Sequence, residues 1–548
     1  MIVAGKTETA GPARMPTSRA EHAAIALILL IAAGVRLWHI DFGLPALNDP
    51  DEPVFIMTAL DMLREGRLNP GWFGHPATLL FYLLALVIVG VAGTGLMLGR
   101  WASTDAFVAA VFADPATIVL PMRVMIAGFG VASVAMTWRI GRRIAGPAAG
   151  LVAALLLSIN ALHVELSQVI RTDMLVTLLM GWCLLAALAI LKHGRVRYHV
   201  IAGIAAGLAC ATKWPAFLVL AAPVLASFGY RGGGRDRRLA LLAPAVAVVT
   251  LIIVSPYLLL DWQTVVHDLR GEARPLHLGA TGHGLIGNLW WYVSHPLYQT
   301  FGGAGLGLIA IGAAALARGR AGRLVILPTF AVILLALAAQ PLVWARWIVP
   351  LLPLAAIMAA AGLCRIVDLV PKGSGQLAVG GVILATVSAG MTSTTFARQH
   401  ARGDDPRQAG SAWVNRHVPA TQSILVEHAA FDLLRRPGVM LFPLGSAGCV
   451  DVRTALAGAP SHRRINKMRE GRAIVDLGHL DEAALTRCRA DVLILSNYAR
   501  YRAEAARFPR EVANYRRLVA GYTARATFGR AGEEGERQVE VFMRDAAQ

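Results

Sequence analysis

Apolar runs of membrane-spanning length recur from Ala23 to Thr392, separated by short polar turns. They predict crossings at Ala23–Ile40, Ile118–Ile140, Ala148–Gln168, Met174–Leu191, Leu239–Leu260, Ala304–Ala317, Leu324–Ala339, Ile348–Arg365 and Leu377–Thr392. The long run Val200–Tyr230 is interrupted by Lys213, Trp214 and Pro215. A charge at mid-membrane is expensive. The spacing therefore predicts a pair, Val200–Ala211 and Pro215–Tyr230, with Lys213 near the outer surface. The run Ala77–Leu98 is ambiguous. If it re-enters or lies along the outer surface, Arg139, Arg142 and Arg143 face inward. So then do Lys192, Arg195 and Arg197; Arg231, Arg235, Arg237 and Arg238; Arg318, Arg320 and Arg323; and Arg365 with Lys372. One choice thus satisfies the positive-inside rule throughout, with an inner N-terminus. The expectation is about eleven crossings plus outer juxtamembrane helices.

From about Thr394 the pattern changes: charge rises and apolar runs shorten to strand length. DDPRQAGSAWVNRHVP predicts a helix ending near Pro419. SILVEH, DVLILS and VEVFMR predict strands, and EAALTRC and AEAARF predict helix. The division is a helical membrane module over 1–393 and a small α/β domain over 394–548, on the outer side. Cys449 and Cys488 fall in that domain, and the sequence leaves open whether they pair or remain thiols.

Composition agrees: 56% of the 548 residues are hydrophobic and 16% charged. The formal charge of +18 would suggest nucleic acid in a soluble protein, but much of it sits in short loops between apolar runs. Membrane topology explains it, and no nucleic-acid partner is expected. The polar Met1–Glu21, with Lys6, Arg14 and Arg19, precedes a first run without a cleavage signature, which reads as a retained helix.

Candidate chemistry gathers in the segments assigned to the outer face. The first loop reads DFGLPALNDPDEPVFIMTALDMLREGRLNPGWFGHPATLLFYLL and carries Asp49, Asp51, Glu52 and His75. Asp51 and Glu52 precede Pro53, so simple helix capping is the structural alternative for them. Asp61, Arg64 and Glu65 read as a solvated helix face. SQVIRTDM places Arg171 and Asp173 at a turn between membrane helices, where a cap with a salt bridge is the bland alternative. Lys213 in ATKWPA either snorkels or holds a lipid phosphate. Trp344 and Trp347 fit interface anchoring, but Arg346 between them lies where no positive bias is expected; a phosphate ligand would explain it. The segment Asp261–His295 carries Asp268, Arg270, Glu272, Arg274, His277, His283 and His295, with histidine spacing that matches no compact metal motif.

DPDEPVF with GHPATLLFYLL, PMRVMIAGFGVASVAMTWRIGRRIAG, SQVIRTDM, AGLACATKWPA, SPYLLLDW and ARWIVPLLPLAA occur in an order that resembles a known family. It is that of GT-C glycosyltransferases of the dolichyl-phosphate-mannose–protein mannosyltransferase type, including bacterial lipid A aminoarabinose transferases. The resemblance covers most of the chain. It implies the GT-C fold in a bacterial inner membrane with a periplasmic C-terminal domain. It implies a polyprenyl-phosphate sugar donor, an envelope lipid, glycan or protein acceptor, surrounding membrane lipids, and no cofactor or metal. It places the catalytic acid at Asp51 with Glu52, or at Asp49 by a local shift, and a second acid at Asp173. Lys213, Arg346 and Arg270 would meet the donor phosphate. His75, Arg171 and Asp49 would position substrate. A lipid-phosphate donor carries its own leaving group, so one base and cations for the phosphate suffice. Ala77–Leu98 would bracket the prenyl chain or pack as an ordinary helix. A transporter or flippase, and a non-catalytic envelope assembly protein, are the competing classes; no clear internal repeat or ATP-binding motif supports the first.

Overall fold

The computed structural model describes residues 18–232, 237–427, 430–433, 435–451, 454, 468, 476–530 and 538–545. Lys6, Arg14 and Arg235, named above, lie outside them. Among the described residues, seven helices are long and apolar enough to cross a membrane: Arg19–Leu37, Thr78–Met97, Ala116–Ala145, Asp173–His193, Gly284–Leu316, Ala345–Val367 and Ser374–His417. Shorter apolar helices lie between them, including Pro147–Ser158, Val196–Cys210, Trp214–Gly229, Arg238–Val254 and Gly322–Ala338. The chain is therefore a polytopic helical membrane protein with a strand-containing C-terminal domain. Helices prevail because each satisfies its own backbone groups without water.

The breaks fall where the backbone loses a donor or a polar side chain takes over. Helix Val196–Cys210 ends just before Lys213, whose backbone is extended, and a 3-10 turn from Trp214 leads into Ala221–Gly229. The expected split pair is thus present, with Pro215 in the first turn of its second member. The run Ala148–Gln168 also divides. Pro147–Ser158 is followed by Ala161–Leu166, capped by Asn160, whose side chain accepts from the His163 amide. Helices Tyr298–Leu316 and Leu352–Val367 meet backbone to backbone. A Cβ at Gly312 would sit 1.7 Å from the Met358 carbonyl oxygen, and one at Gly362 would sit 2.1 Å from that of Leu308.

Thr78–Met97 has the length of a crossing, but its setting agrees with a surface or re-entrant path. The Ala77 amide donates to the Thr212 carbonyl beside Lys213. The chain returns through Thr104–Ala113, only ten residues long and so about 15 Å. Ala113 then accepts from Arg435 of the C-terminal domain. Both ends of this excursion therefore lie on the side of that domain. At the opposite end of the bundle Arg142 pairs with Glu21 at 2.7 Å.

The last membrane helix, expected to end near Thr392, runs on from Ser374 to Gly403 and stands directly under helix Pro406–His417. The domain that follows has one six-stranded sheet in the order β3-β2-β1-β4-β6-β5. Its strands are β1 (Ile424–Val426), β2 (Met440–Pro443), β3 (Cys449–Asp451), β4 (Val492–Leu495), β5 (Tyr522–Phe528) and β6 (Val539–Arg544). β1 runs parallel to β2 and β4, and the other pairings are antiparallel. Alternate residues serve two cores. Leu425, Leu493 and Leu495 face one, and Ile424, Val426, Val492 and Ile494 face the other. Cys449 and Cys488 are joined as a disulfide, which settles the alternatives left open by the sequence. AEAARF is not the helix expected; the helix is Tyr498–Ala503, and a turn follows.

Glu427 and Ser496 stand where β1 and β4 end, and there the Glu427 carboxyl collects freed donors. It accepts from the Ser496 amide and hydroxyl, the Asn497 amide and the Tyr515 hydroxyl. Burial nevertheless outweighs these bonds and raises the Glu427 carboxyl to about 7. A raised acid contributes stability that is complete below its ordinary value near 4.5 and is lost as pH climbs through about 7. The expected loss is about 3 kcal/mol. Hydrogen exchange at the β1 and β4 amides of the full-length protein, corrected for intrinsic rates, should show protection falling across that window. Glu427→Gln should flatten the profile; an unchanged slope in that variant would assign it elsewhere.

Candidate active site at the ends of the membrane helices

Four segments, far apart in sequence, deliver charge to one place. The loop before helix Glu52–Glu65 brings Asp49 and Asp51. The turn before helix Asp173–His193 brings Arg171 and Asp173. The break before Trp214–Leu220 brings Lys213, and the first turn of Ala345–Leu351 brings Arg346. Arg171 places one nitrogen 2.9 Å from both oxygens of Asp49 and uses another on Asp51. The same oxygen of Asp51 also faces Arg346 at 3.2 Å. Lys213 donates to Asp173 at 2.6 Å. Three carboxylates thus meet three cations.

Their exposure separates their roles. The Asp173 and Lys213 side chains are 3% and 11% exposed, whereas Asp51 is 34% exposed and is the carboxylate most open to a ligand. Helix capping does not account for it. Asp51 stands at the start of helix Glu52–Glu65 but makes no side-chain cap bond. Burial would raise the Asp51 carboxyl, but Arg171 and Arg346, helped by His75 and Lys213, hold it well below the usual carboxylate range. His75 is pushed down to about 4, first by burial and then by Lys213 and Arg346, so at neutral pH it is an uncharged hydrogen-bonding group. Its segment is fixed by the Ala77–Thr212 backbone bond, and its ring lies edge-on to Trp72 at 5.7 Å.

Two expected members belong elsewhere. Glu52 is fully buried and turned away from Asp51. Both its oxygens take Arg123, at 2.9 and 2.6 Å, and one also accepts the Ile170 amide. Arg123 further holds the carbonyls of Ile40 and Phe42. This pair ties the first loop to helix Ala116–Ala145. Arg270 is exposed on helix Trp262–Glu272 and is not brought to the cluster. Its neighbour Asp268 is the buried one and accepts from the Phe73 amide at 2.8 Å. Asp61, expected on a solvated face, is buried. The loop histidines do not converge: His277 packs against Trp344 and His295 stacks on Trp291. Among the described residues no group of three or more His, Cys, Asp or Glu side chains forms a metal-binding set.

The sequence held a signal for one partner that was missed. Arg123 lies inside an apolar run, and a charge there requires a partner. No comparable signal marked Asn48, Arg402 or Arg407. Arg407 reaches the first loop, and the Arg402 guanidinium lies 4.0 Å from the centre of the Phe42 ring, which also faces Arg123.

The arrangement is an ion-paired site at the ends of membrane helices on the side of the C-terminal domain, able to hold an anionic headgroup and keep a carboxylate beside it. Residues 102–260 match the family model described as dolichyl-phosphate-mannose-protein mannosyltransferase. No curated protein matches the chain. Among solved structures, the chain is similar to ArnT from Cupriavidus metallidurans bound to undecaprenyl phosphate, at 14% identity and a TM-score of 0.53 over 95% of this chain and 98% of that one. It is also similar to the archaeal oligosaccharyltransferase AglB from Archaeoglobus fulgidus in complex with an inhibitory peptide and a dolichol-phosphate. There the identity is 11% and the TM-score 0.54, over 97% of this chain and 74% of that one. The chain shares the fold of these proteins.

Proposed function

We propose that the chain is a membrane glycosyltransferase. It moves a sugar from a polyprenyl-phosphate donor to an envelope lipid, glycan or protein acceptor on the periplasmic face of a bacterial inner membrane. The observation that carries this reading is the convergence of Arg171, Lys213 and Arg346 on Asp51 and Asp173 at the foot of the apolar helix Thr78–Met97. Cations at a membrane surface beside an apolar helix suit a ligand with a phosphate head and a prenyl tail. The shared fold with ArnT and AglB, and the family match, support the same donor class.

The charge balance suggests how the carboxylate is released for chemistry. Without a donor, Arg346 and Lys213 are neutralised by Asp51 and Asp173. A donor phosphate competes for both cations. Asp51 then loses a depressing neighbour, and an added negative charge favours its protonation, so it becomes a better base. The acceptor oxygen attacks the anomeric carbon, the carbon–oxygen bond to phosphate breaks, and Asp51 takes the acceptor proton. The departing polyprenyl phosphate keeps the electron pair, stabilised by Lys213 and Arg346. Asp173 orients Lys213. Asp49 fixes Arg171, which in turn fixes Asp51, and His75 contributes a neutral polar contact.

The test is turnover of a panel of polyprenyl-phosphate sugars by purified protein with an envelope extract, with and without chelator. Loss of one sugar donor names the donor. No turnover by folded protein, with acceptor supplied, would favour the transporter reading. Arg346→Ala should raise the KM for donor about 10- to 100-fold, the worth of a charge-assisted phosphate contact. An unchanged donor KM would remove Arg346 from the phosphate site.

A further inference from the structure

The acidic loop has little backbone support. Among the described residues no backbone–backbone hydrogen bond involves residues 45–50. Leu47 holds a φ of 55°, a conformation disfavoured for a bulky L residue unless its surroundings impose it. Side chains therefore hold the loop, and two of them come from the outer domain. Arg407 is almost fully buried in the first turn of helix Pro406–His417. Asp405 takes its Nε at 2.8 Å and a second nitrogen, which fixes the plane of the guanidinium. The remaining nitrogen donates to the Asn48 carbonyl at 2.7 Å, one residue before Asp49. Gln408 donates to the Asn48 side chain at 3.1 Å.

The same domain reaches the opposite partner. Arg500 donates to the Leu278 carbonyl at 3.1 Å, and Glu504 accepts the Gly279 amide at 2.8 Å. That loop pairs with the segment entering the Arg346 turn: the Val343 amide donates to Ala280 and the Gly282 amide to Pro341. His277 lies 4.7 Å from Trp344 between ring centres, and the Arg346 guanidinium lies 4.7 Å from the same tryptophan ring. One domain thus contacts both the loop that carries Asp51 and the loop paired with the segment entering the Arg346 turn.

We propose that the outer domain is a working part of the membrane site, with Arg407 positioning the Asp51 loop and Glu504 positioning Arg346 through the Leu278–Gly279 loop. This rests on the transferase reading, and it predicts that the two contacts fail differently. Arg407 acts on the base, so Arg407→Met should lower kcat about tenfold or more with donor KM unchanged, and Arg407→Lys should recover part of the loss. Glu504 acts on the phosphate ligand, so Glu504→Ala should raise donor KM with a smaller change in kcat.

The experiment is steady-state turnover of full-length variants, paired with hydrogen exchange of peptides spanning residues 43–52 and 276–283. Faster exchange confined to 43–52 in Arg407→Met, and to 276–283 in Glu504→Ala, together with the kinetic split, is the expected result. Wild-type kinetics in both variants would overturn the proposal, as would equal losses of kcat and kcat/KM in both without recovery by lysine. Should the wild-type protein turn over no donor, the transferase reading fails. The exchange pattern alone then decides whether the domain grips the two loops.

Discussion

Asp51→Asn is expected to cut donor turnover by about 10²-fold or more while the protein stays folded. The magnitude is that of a positioned general base. The side chain keeps its size, so packing changes little. Its charge is lost from a partly exposed position, which limits the cost to stability. Arg171 keeps Asp49 as a partner, and Arg346 keeps Asp173 as a nearby charge. The measurement is single-turnover loss of the polyprenyl-phosphate sugar by purified variant and wild type, with gel filtration to show that both are monodisperse. Near-wild-type turnover would take the base away from Asp51 and direct attention to Asp49. The wild-type protein should also lose activity at low pH only well below the usual carboxylate range when donor is limiting, because the arginines hold the free-enzyme carboxylate charged. At saturating donor the acid limb should move upward, since the phosphate then competes for Arg346.

The neighbouring carboxylate should behave in the opposite way. Glu52→Ala is expected to cost about 3–5 kcal/mol of stability, the penalty for leaving a buried charge without its partner. Arg123 would then face an apolar interior with the carbonyls of Ile40 and Phe42 and the Phe42 ring, and no counter-charge from Glu52. The Ile170 amide, one residue before Arg171, would also lose its acceptor. The readout is the yield of monodisperse protein and its half-life on warming in detergent. Replacing both partners, as Glu52→Leu with Arg123→Leu, should recover part of the loss, because a neutral pair no longer needs solvation. If Glu52→Ala is as robust as wild type yet inactive, Glu52 belongs with the chemistry after all. Two adjacent acids thus divide by their partners: one meets an arginine at 34% side-chain exposure, the other an arginine at none.

That division marks the boundary of what the chain discloses by itself. Hydrophobic run length gave the helical membrane class, because a helix must satisfy its backbone wherever water is absent. The Lys213-Trp214-Pro215 interruption predicted the broken helix, because both a charge and a missing donor oppose continuity there. The rise in charge after Thr394 announced the C-terminal α/β domain, although the membrane helix beneath it extends to Gly403. DPDE, RTD, ATKWPA and the Arg346 segment each declared polar residues that a membrane-facing stretch does not need. All these signals are local, because periodicity, helix breaking and the cost of a charge act over a few residues.

Pairing is not local. Glu52 finds Arg123, Asp49 finds Arg171, Asp173 finds Lys213, Asp51 finds Arg346, and Arg407 finds the Asn48 carbonyl. Adjacent carboxylates look alike in sequence, yet the pitch of helix Glu52–Glu65 and the packing of helix Ala116–Ala145 turn one inward and leave the other at the site. Arg270 shows the reverse, a plausible phosphate ligand that its helix turns away from the cluster. Tertiary packing made these choices, because the stability of a buried charge depends on which distant group the fold delivers to it.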